Sequence, residues 1–181
     1  MKKVGVILSD GFEEIEAIEV IDILRRATCK VEILGHQNIQ ITGARGVTIE
    51  GDDRFNYYTA LDYDGIVLVG GMANANTLSE DKDVLNLLEE YNRQGKLIAG
   101  ICATPAVVFS NTSILDGRKC TCYPDNALMV NLSGEFVDEP CVIDGNIITS
   151  QSPATAMEFA LTIVDYLGYN AGQLYSDLQG K

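Results

Sequence analysis

Apolar and polar positions along this chain switch repeatedly between two periods. Residues 4–8 form a short continuous apolar run that stops at Ser9-Asp10-Gly11, as a strand buried on both faces does. Residues 13–26 predict a helix, with acidic side chains in the first turn and Arg25-Arg26 in the last, both signs matched to the helix dipole. Residues 30–34 predict a second strand. Alternation in 39–42 and 47–50 predicts short strands or a hairpin. Residues 65–69 are again continuously apolar, as in a central parallel strand, and Gly70-Gly71 end them. An amphipathic helix is predicted over 79–94, its apolar face formed by Val84, Leu85, Leu87, Leu88 and Tyr91 and its end set by Gly95. Residues 96–109 then read as a strand that becomes a helix.

The C-terminal third is less regular. A strand is predicted over 119–123, a short helix over 125–131, and strands at 135–137 and 141–143 flanking a turn. Asp144-Gly145 precede a further strand at 146–149. Pro153 opens a helix to about residue 167, and 170–178 predict one more. Strands alternating with helices specify an α/β sandwich with a mostly parallel sheet, expected as a single domain over residues 1–181. Ligands of such sheets bind beyond the C-terminal strand ends. Gly11, Gly70-Gly71 and Cys102 all fall there.

Composition narrows the partners. A hydrophobic content of 46% with 22% charged residues is that of a globular protein. A net charge of −13 argues against nucleic acid and anionic membrane, which require a basic footprint. The apolar runs are too short and interrupted to span a bilayer. Residues 1–8 look superficially like a signal peptide, but acidic residues follow at once, and they read as the first strand of a cytoplasmic protein. The five cysteines, Cys29, Cys102, Cys120, Cys122 and Cys141, have no repeated spacing and are expected to be reduced. One histidine and no C-x-x-C pair leave no zinc set, and neither metal nor cofactor is expected.

The candidate chemistry centres on Ala99-Gly100-Ile101-Cys102-Ala103-Thr104-Pro105. Small neighbours permit a tight turn, and Pro105 suits a helix's first turn, so Cys102 has the setting of a nucleophile elbow. A helix N-terminus there favours thiolate over thiol. The alternative is a buried small hydrophobe, the commoner role of a free cysteine. Gly70-Gly71 and Ala103 can aim backbone N–H groups at a reacting atom. The glutamates at positions 13, 14, 16 and 19 supply possible proton carriers, but apolar residues surround so much of their helix that periodicity does not say which one points inward. His36 reads as a surface loop residue.

Four segments together resemble the ThiJ/PfpI superfamily, and within it the parkinsonism-associated protein deglycase branch. They are Gly11-Phe12-Glu13-Glu14-Ile15-Glu16, Val69-Gly70-Gly71, the cysteine stretch above, and Ser150-Gln151-Ser152-Pro153-Ala154-Thr155-Ala156-Met157-Glu158-Phe159-Ala160. The resemblance implies a flavodoxin-like three-layer α/β/α fold, related to class I glutamine amidotransferases, and a homodimer. It implies that Cys102 is the reactive, oxidisable thiol, that Glu16 hydrogen-bonds the sulfur, and that the N–H groups of Gly71 and Ala103 face it. Arg45 resembles an arginine reaching toward the partner subunit's site. Tyr123 stands where the deglycase has a histidine, and Ala103 replaces the histidine of protease-like members, which argues against peptidase activity. A phenol with its usual pKa near ~10 is a poor base at neutral pH. The implied activity is glyoxalase- or deglycase-like chemistry on small reactive carbonyls, or on glycated thiols and amines, through a Cys102–Glu16 site. The alternative is a non-catalytic redox sensor or chaperone-like dimer whose cysteine is oxidised to sulfinate.

Overall fold

The computed structural model describes all residues, 1–181. Strands β1 (Lys3–Leu8) and β2 (Lys30–Gly35) are joined by helix α1 (Glu14–Arg26). The hairpin β3 (Gln40–Thr42) and β4 (Thr48–Glu50) follows, then the short β5 (Asp53–Arg54) and a single turn, α2 (Tyr57–Ala60). Next come β6 (Gly65–Leu68), α3 (Met72–Ser79), α4 (Lys82–Gln94), β7 (Leu97–Ile101) and the four-residue α5 (Thr104–Val107). The chain ends with β8 (Lys119–Cys120), α6 (Asn126–Met129), β9 (Glu135–Phe136), β10 (Cys141–Asp144), β11 (Ile147–Ser150), α7 (Ala156–Tyr166) and α8 (Ala171–Leu178).

Seven strands form one sheet in the order β10-β11-β7-β6-β1-β2-β5, parallel throughout except for β10. The five central parallel strands have the flavodoxin-like order 2-1-3-4-5, whose reversal point lies between β1 and β6. Each face carries its own core. On one, α1 and α7 cover Val4, Val6, Val67 and Ala99 with Val20, Leu24, Phe159 and Ile163. On the other, Ile7, Ile66, Leu68 and Ile98 pack under Leu78, Leu87, Leu88, Tyr91 and Phe109. Successive strand residues point to opposite faces, so a strand sandwiched between helices must be apolar at every position. That is why residues 4–8 and 65–69 show no alternation. The three-layer α/β/α sandwich expected from the sequence is the architecture observed.

Several boundaries differ from the sequence reading. The helix expected over 79–94 is α4, which starts three residues later, where the Asp81 side chain accepts from the Asp83 and Val84 N–H groups and caps it. The helix before it, α3, was not expected, being hidden in Asn- and Ala-rich sequence without a strong apolar stripe. The strand expected over 119–123 pairs only at Lys119–Cys120, in a separate two-stranded unit with β9. Residues 135–137 and 141–143 therefore do not flank one hairpin. The hairpin is β10–β11, turning at Gly145, whose φ of 61° suits glycine. β5 and α2 are too short to leave a periodic signature.

Candidate functional site

Three parallel strands, β1, β6 and β7, deliver their C-terminal ends to one place. Cys102 follows β7 directly and takes φ 63°, a left-handed conformation costly for a residue with a side chain. Its main chain is fixed on both sides. The Cys102 N–H donates to the Ser150 carbonyl at 3.0 Å, and the Tyr123 N–H donates to the Cys102 carbonyl at 2.8 Å. The helix beyond it is shorter than expected, since α5 has one turn before a 3-10 turn at Phe109–Asn111. Its dipole is correspondingly small.

Glu16 is the glutamate that points inward. It is fully buried in the first turn of α1, and its Oε2 accepts from the Gly70 N–H at 2.6 Å. Its Oε1 is buried with no partner of ordinary hydrogen-bond geometry, and the Cys102 thiol is the polar side chain beside it. Burial pushes the Glu16 carboxyl up to about 7, reinforced by the Glu13 charge and opposed by the Gly70 N–H and the Cys102 thiol. Cys102 is also pushed up, first by burial and then by the charge and hydrogen bond of Glu16, against the N–H groups of Ala103 and Gly71. The elbow alone therefore does not favour thiolate, contrary to the expectation from the sequence. The carboxylate–thiol state and the carboxylic acid–thiolate state carry the same single negative charge. Moving the proton from sulfur to Glu16 removes the Glu16 repulsion, the second of these causes, while burial, the largest, remains.

Gly70 and Gly71 make this proximity possible. A Cβ on Gly70 would lie 2.6 Å from Cys102 Cβ and 2.8 Å from Glu16 Oε2. Gly71 has φ 86°, and a Cβ there would lie 2.1 Å from the Gly11 carbonyl oxygen. Fully buried Asn74 ties the strand ends together. Its Oδ1 accepts from the Ser9 N–H at 2.7 Å, and its Nδ2 donates to the Val69 carbonyl at 2.8 Å and the Gly70 carbonyl at 3.2 Å. Thr104 Oγ1 adds a bond to the Val69 carbonyl at 2.8 Å. Asn74 and Thr104 escaped the sequence reading, whereas Gly70 was already marked by the glycine pair. For Asn74 only the fold reveals the role.

A cleft of about 650 Å³ opens over the sulfur. Gly71, Met72, Ala103, Tyr123, Leu128 and Pro153 line it, with Glu13, Ala44 and Arg45 on the hairpin side. The structure thus brings Cys102, Glu16, Gly71, Ala103, Tyr123 and Arg45 together. Tyr123 is 43% exposed and borders the cleft. Arg45 lines this same chain's cleft and makes no ion pair within 4 Å. His36 is elsewhere and is no surface residue. Its side chain is 5% exposed, with Nε2 2.6 Å from Asp81 Oδ2 and the ring stacked on Phe55. Two other surface clefts of comparable size, beside Tyr57 and Tyr58 and beside Met157 and Leu161, contain no cysteine in their walls.

Comparison with known proteins places nearly the whole chain in one family. The DJ-1/PfpI family matches residues 2–166. Drosophila melanogaster dj-1beta is 37% identical over 168 residues, covering 92% of this chain and 89% of that protein. The Danio rerio Parkinson disease protein 7 homolog is 34% identical over 170 residues, with the same two coverages, 92% and 89%. Two Arabidopsis thaliana DJ-1 homologues, A and B, are 36% and 35% identical, but the chain spans only 40% and 36% of their lengths. Among solved structures, oxidized Toxoplasma gondii DJ-1 superposes with a TM-score of 0.91 at 31% identity, covering 99% of this chain and 98% of that one. Drosophila DJ-1beta superposes with a TM-score of 0.89 at 36% identity, covering 98% and 97%. With one family matching nearly its whole length and the elbow, glycine pair and buried glutamate in one place, the chain belongs to the DJ-1/PfpI family.

Proposed function

We propose that Cys102 and Glu16 act as a nucleophile and its proton carrier on small reactive carbonyls, in glyoxalase- or deglycase-like chemistry serving a stress response. The observation that carries this reading is Glu16 itself, a fully buried carboxyl beside the Cys102 thiol with its pKa raised to about 7. Such a group exchanges a proton near neutrality without needing histidine. In the proposed sequence the thiol proton passes to Glu16 and the thiolate attacks the aldehyde carbon. The S–C bond forms, and the C=O π pair moves to oxygen, which takes the proton back from Glu16 to give a hemithioacetal. For a 2-oxoaldehyde, the Glu16 carboxylate then carries the C1 proton to C2 while the hydroxyl proton on O1 moves to O2, leaving a 2-hydroxy thioester. Water then releases the 2-hydroxy acid and regenerates the thiol. The balance is one oxoaldehyde and one water to one hydroxy acid. The N–H groups of Gly71 and Ala103 are the nearest donors for charge at the sulfur centre. Turnover of methylglyoxal by wild type, Cys102→Ala and Glu16→Gln tests the scheme, and equal rates in all three would sink it.

A second reading is favoured by Tyr123 at the place of the family histidine. Cys102 then serves as a redox sensor, its thiol taking one oxygen from peroxide to give sulfenic acid and water, and a second to give sulfinate. A protonated Glu16 suits a sulfinate oxygen as a hydrogen-bond donor, and the Toxoplasma relative is described as oxidized. Intact-mass analysis after mild peroxide treatment separates the readings; no selective oxidation of Cys102 together with real carbonyl turnover removes the second. Either reading is proposed for a homodimer, supported by Ile15, Ile18 and Val47, apolar side chains 44–56% exposed around the first turns of α1 and the hairpin.

A further inference from the structure

Three of the four residues at the start of the α1 motif, Glu13-Glu14-Ile15-Glu16, are carboxylates, and each is engaged differently. Glu13 caps the helix by accepting from the Glu16 N–H at 2.9 Å. Glu16 faces the sulfur. Glu14 points the other way, toward the tip of the β3–β4 hairpin. It is 8% exposed, unusual for a glutamate that makes no ion pair, although burial is outweighed by the N–H groups of Arg45 and Val47 with the Arg45 charge, which hold its carboxyl below the usual range. Its Oε1 accepts from the Arg45 N–H at 2.5 Å and, more distantly, from the Val47 N–H at 3.4 Å. Its Oε2 is buried without a partner.

The hairpin tip is shaped around this carboxyl. A Cβ on Gly43 would lie 2.5 Å from Glu14 Cδ, so the absence of a side chain at 43 is what lets the tip close onto the helix. Backbone bonds from Ala44 N–H to the Phe12 carbonyl and from Gly11 N–H to the Thr42 carbonyl, both 2.8 Å, seat the tip on the chain leading into α1. The seated tip presents Ala44 and Arg45 as one wall of the Cys102 cleft. Glu14 supplies the charged acceptor of that seat, and hydrogen bonds to a charged group are the stronger kind.

We propose that Glu14 is a positioning residue whose carboxylate holds hairpin residues 43–47 closed at the mouth of the Cys102 cleft, and so sets how large a reagent reaches the sulfur. The inference rests on reading Cys102 as a reactive thiol. It assigns Glu14 no contact with substrate and no proton transfer.

The test compares alkylation of Cys102 by iodoacetamide and by iodoacetamidofluorescein in the full chain. The two share one chemistry, S–C bond formation with loss of iodide, and differ in size. Glu14→Ala removes the acceptor, Glu14→Gln keeps one oxygen acceptor without the charge, and Gly43→Ala pushes the tip away while leaving Glu14 intact. Loss of a charge-assisted clamp is expected to raise the bulky-to-small rate ratio about tenfold in Glu14→Ala and Gly43→Ala, with Glu14→Gln between them and wild type. Amide hydrogen exchange at residues 44–47 rises in parallel. A general loss of stability accelerates both reagents alike and leaves their ratio where it was. The proposal is overturned if, in Glu14→Ala or in Gly43→Ala, either the ratio or the exchange at residues 44–47 equals that of wild type. Failure of both reagents to label wild-type Cys102 counts against the reactive-thiol reading instead, and the exchange data still decide whether the clamp exists.

Discussion

Replacing Glu16 by Gln should change how stability depends on pH, not merely its level. In the folded chain the carboxyl is raised from 4.5 to about 7, chiefly by burial. Between those values the unfolded chain has released the proton and the folded chain still holds it. Stability therefore falls as pH rises, since the slope follows protons bound unfolded minus protons bound folded. The stabilising contribution is complete below 4.5 and lost as pH rises through about 7. A shift of 7 − 4.5 = 2.5 pH units corresponds to about 3 kcal/mol, at ~1.36 kcal/mol per unit. In a chain of this size that is roughly 6–12 °C in Tm. Urea melts of wild type and Glu16→Gln across pH 4 to 8 measure it, with other carboxyls cancelling in the difference between the two proteins. The wild-type advantage at low pH should disappear through neutrality. Because the Cys102 thiol pulls the Glu16 value down, Cys102→Ala should move the transition to higher pH. A wild-type-minus-Gln difference that is flat with pH would refute the assignment of Glu16 as a buried proton holder.

Gly70→Ala introduces a methyl 2.6 Å from Cys102 Cβ and is expected to cost about 1–3 kcal/mol by overpacking; thermal melting and Cys102 alkylation should both change. Cys102→Gly should melt above Cys102→Ala by the equivalent of about 1 kcal/mol, because only glycine relieves the positive φ; equal melting points would count against a strained elbow. His36→Ala removes the partner of Asp81 and a buried ring, for an expected loss of roughly 1–3 kcal/mol, while the pH profile of Cys102 alkylation stays unchanged.

The sheet was legible because strands covered on both faces must be apolar throughout, and glycine pairs mark where they stop. Cys102 was legible for the same reason, as the first residue after such a run. Glu16 was not singled out by periodicity, because Ile15 and Ile18 face outward and blur the apolar stripe of α1. Only the family resemblance distinguished it from its neighbours. Asn74 and His36 were missed or misplaced because a buried polar residue is recognised by what it bonds. Those partners, Ser9 and Asp81, lie 65 and 45 residues away. The expectation of a favoured thiolate failed because burial and the Glu16 charge hold the thiol up, and neither the burial of the sulfur nor the inward turn of Glu16 is written in the local pattern.

Tyr123 belongs to the site in two separable ways. Its N–H anchors the Cys102 carbonyl, while its phenol borders the open cleft. Any residue other than proline supplies that anchor, so position 123 is a socket in which the side chain can be exchanged without moving the nucleophile. Tyr123→His would place an imidazole at the cleft edge with the strained elbow still held from below. The chemistry available to this scaffold can thus be altered at a position whose structural duty is carried entirely by the main chain.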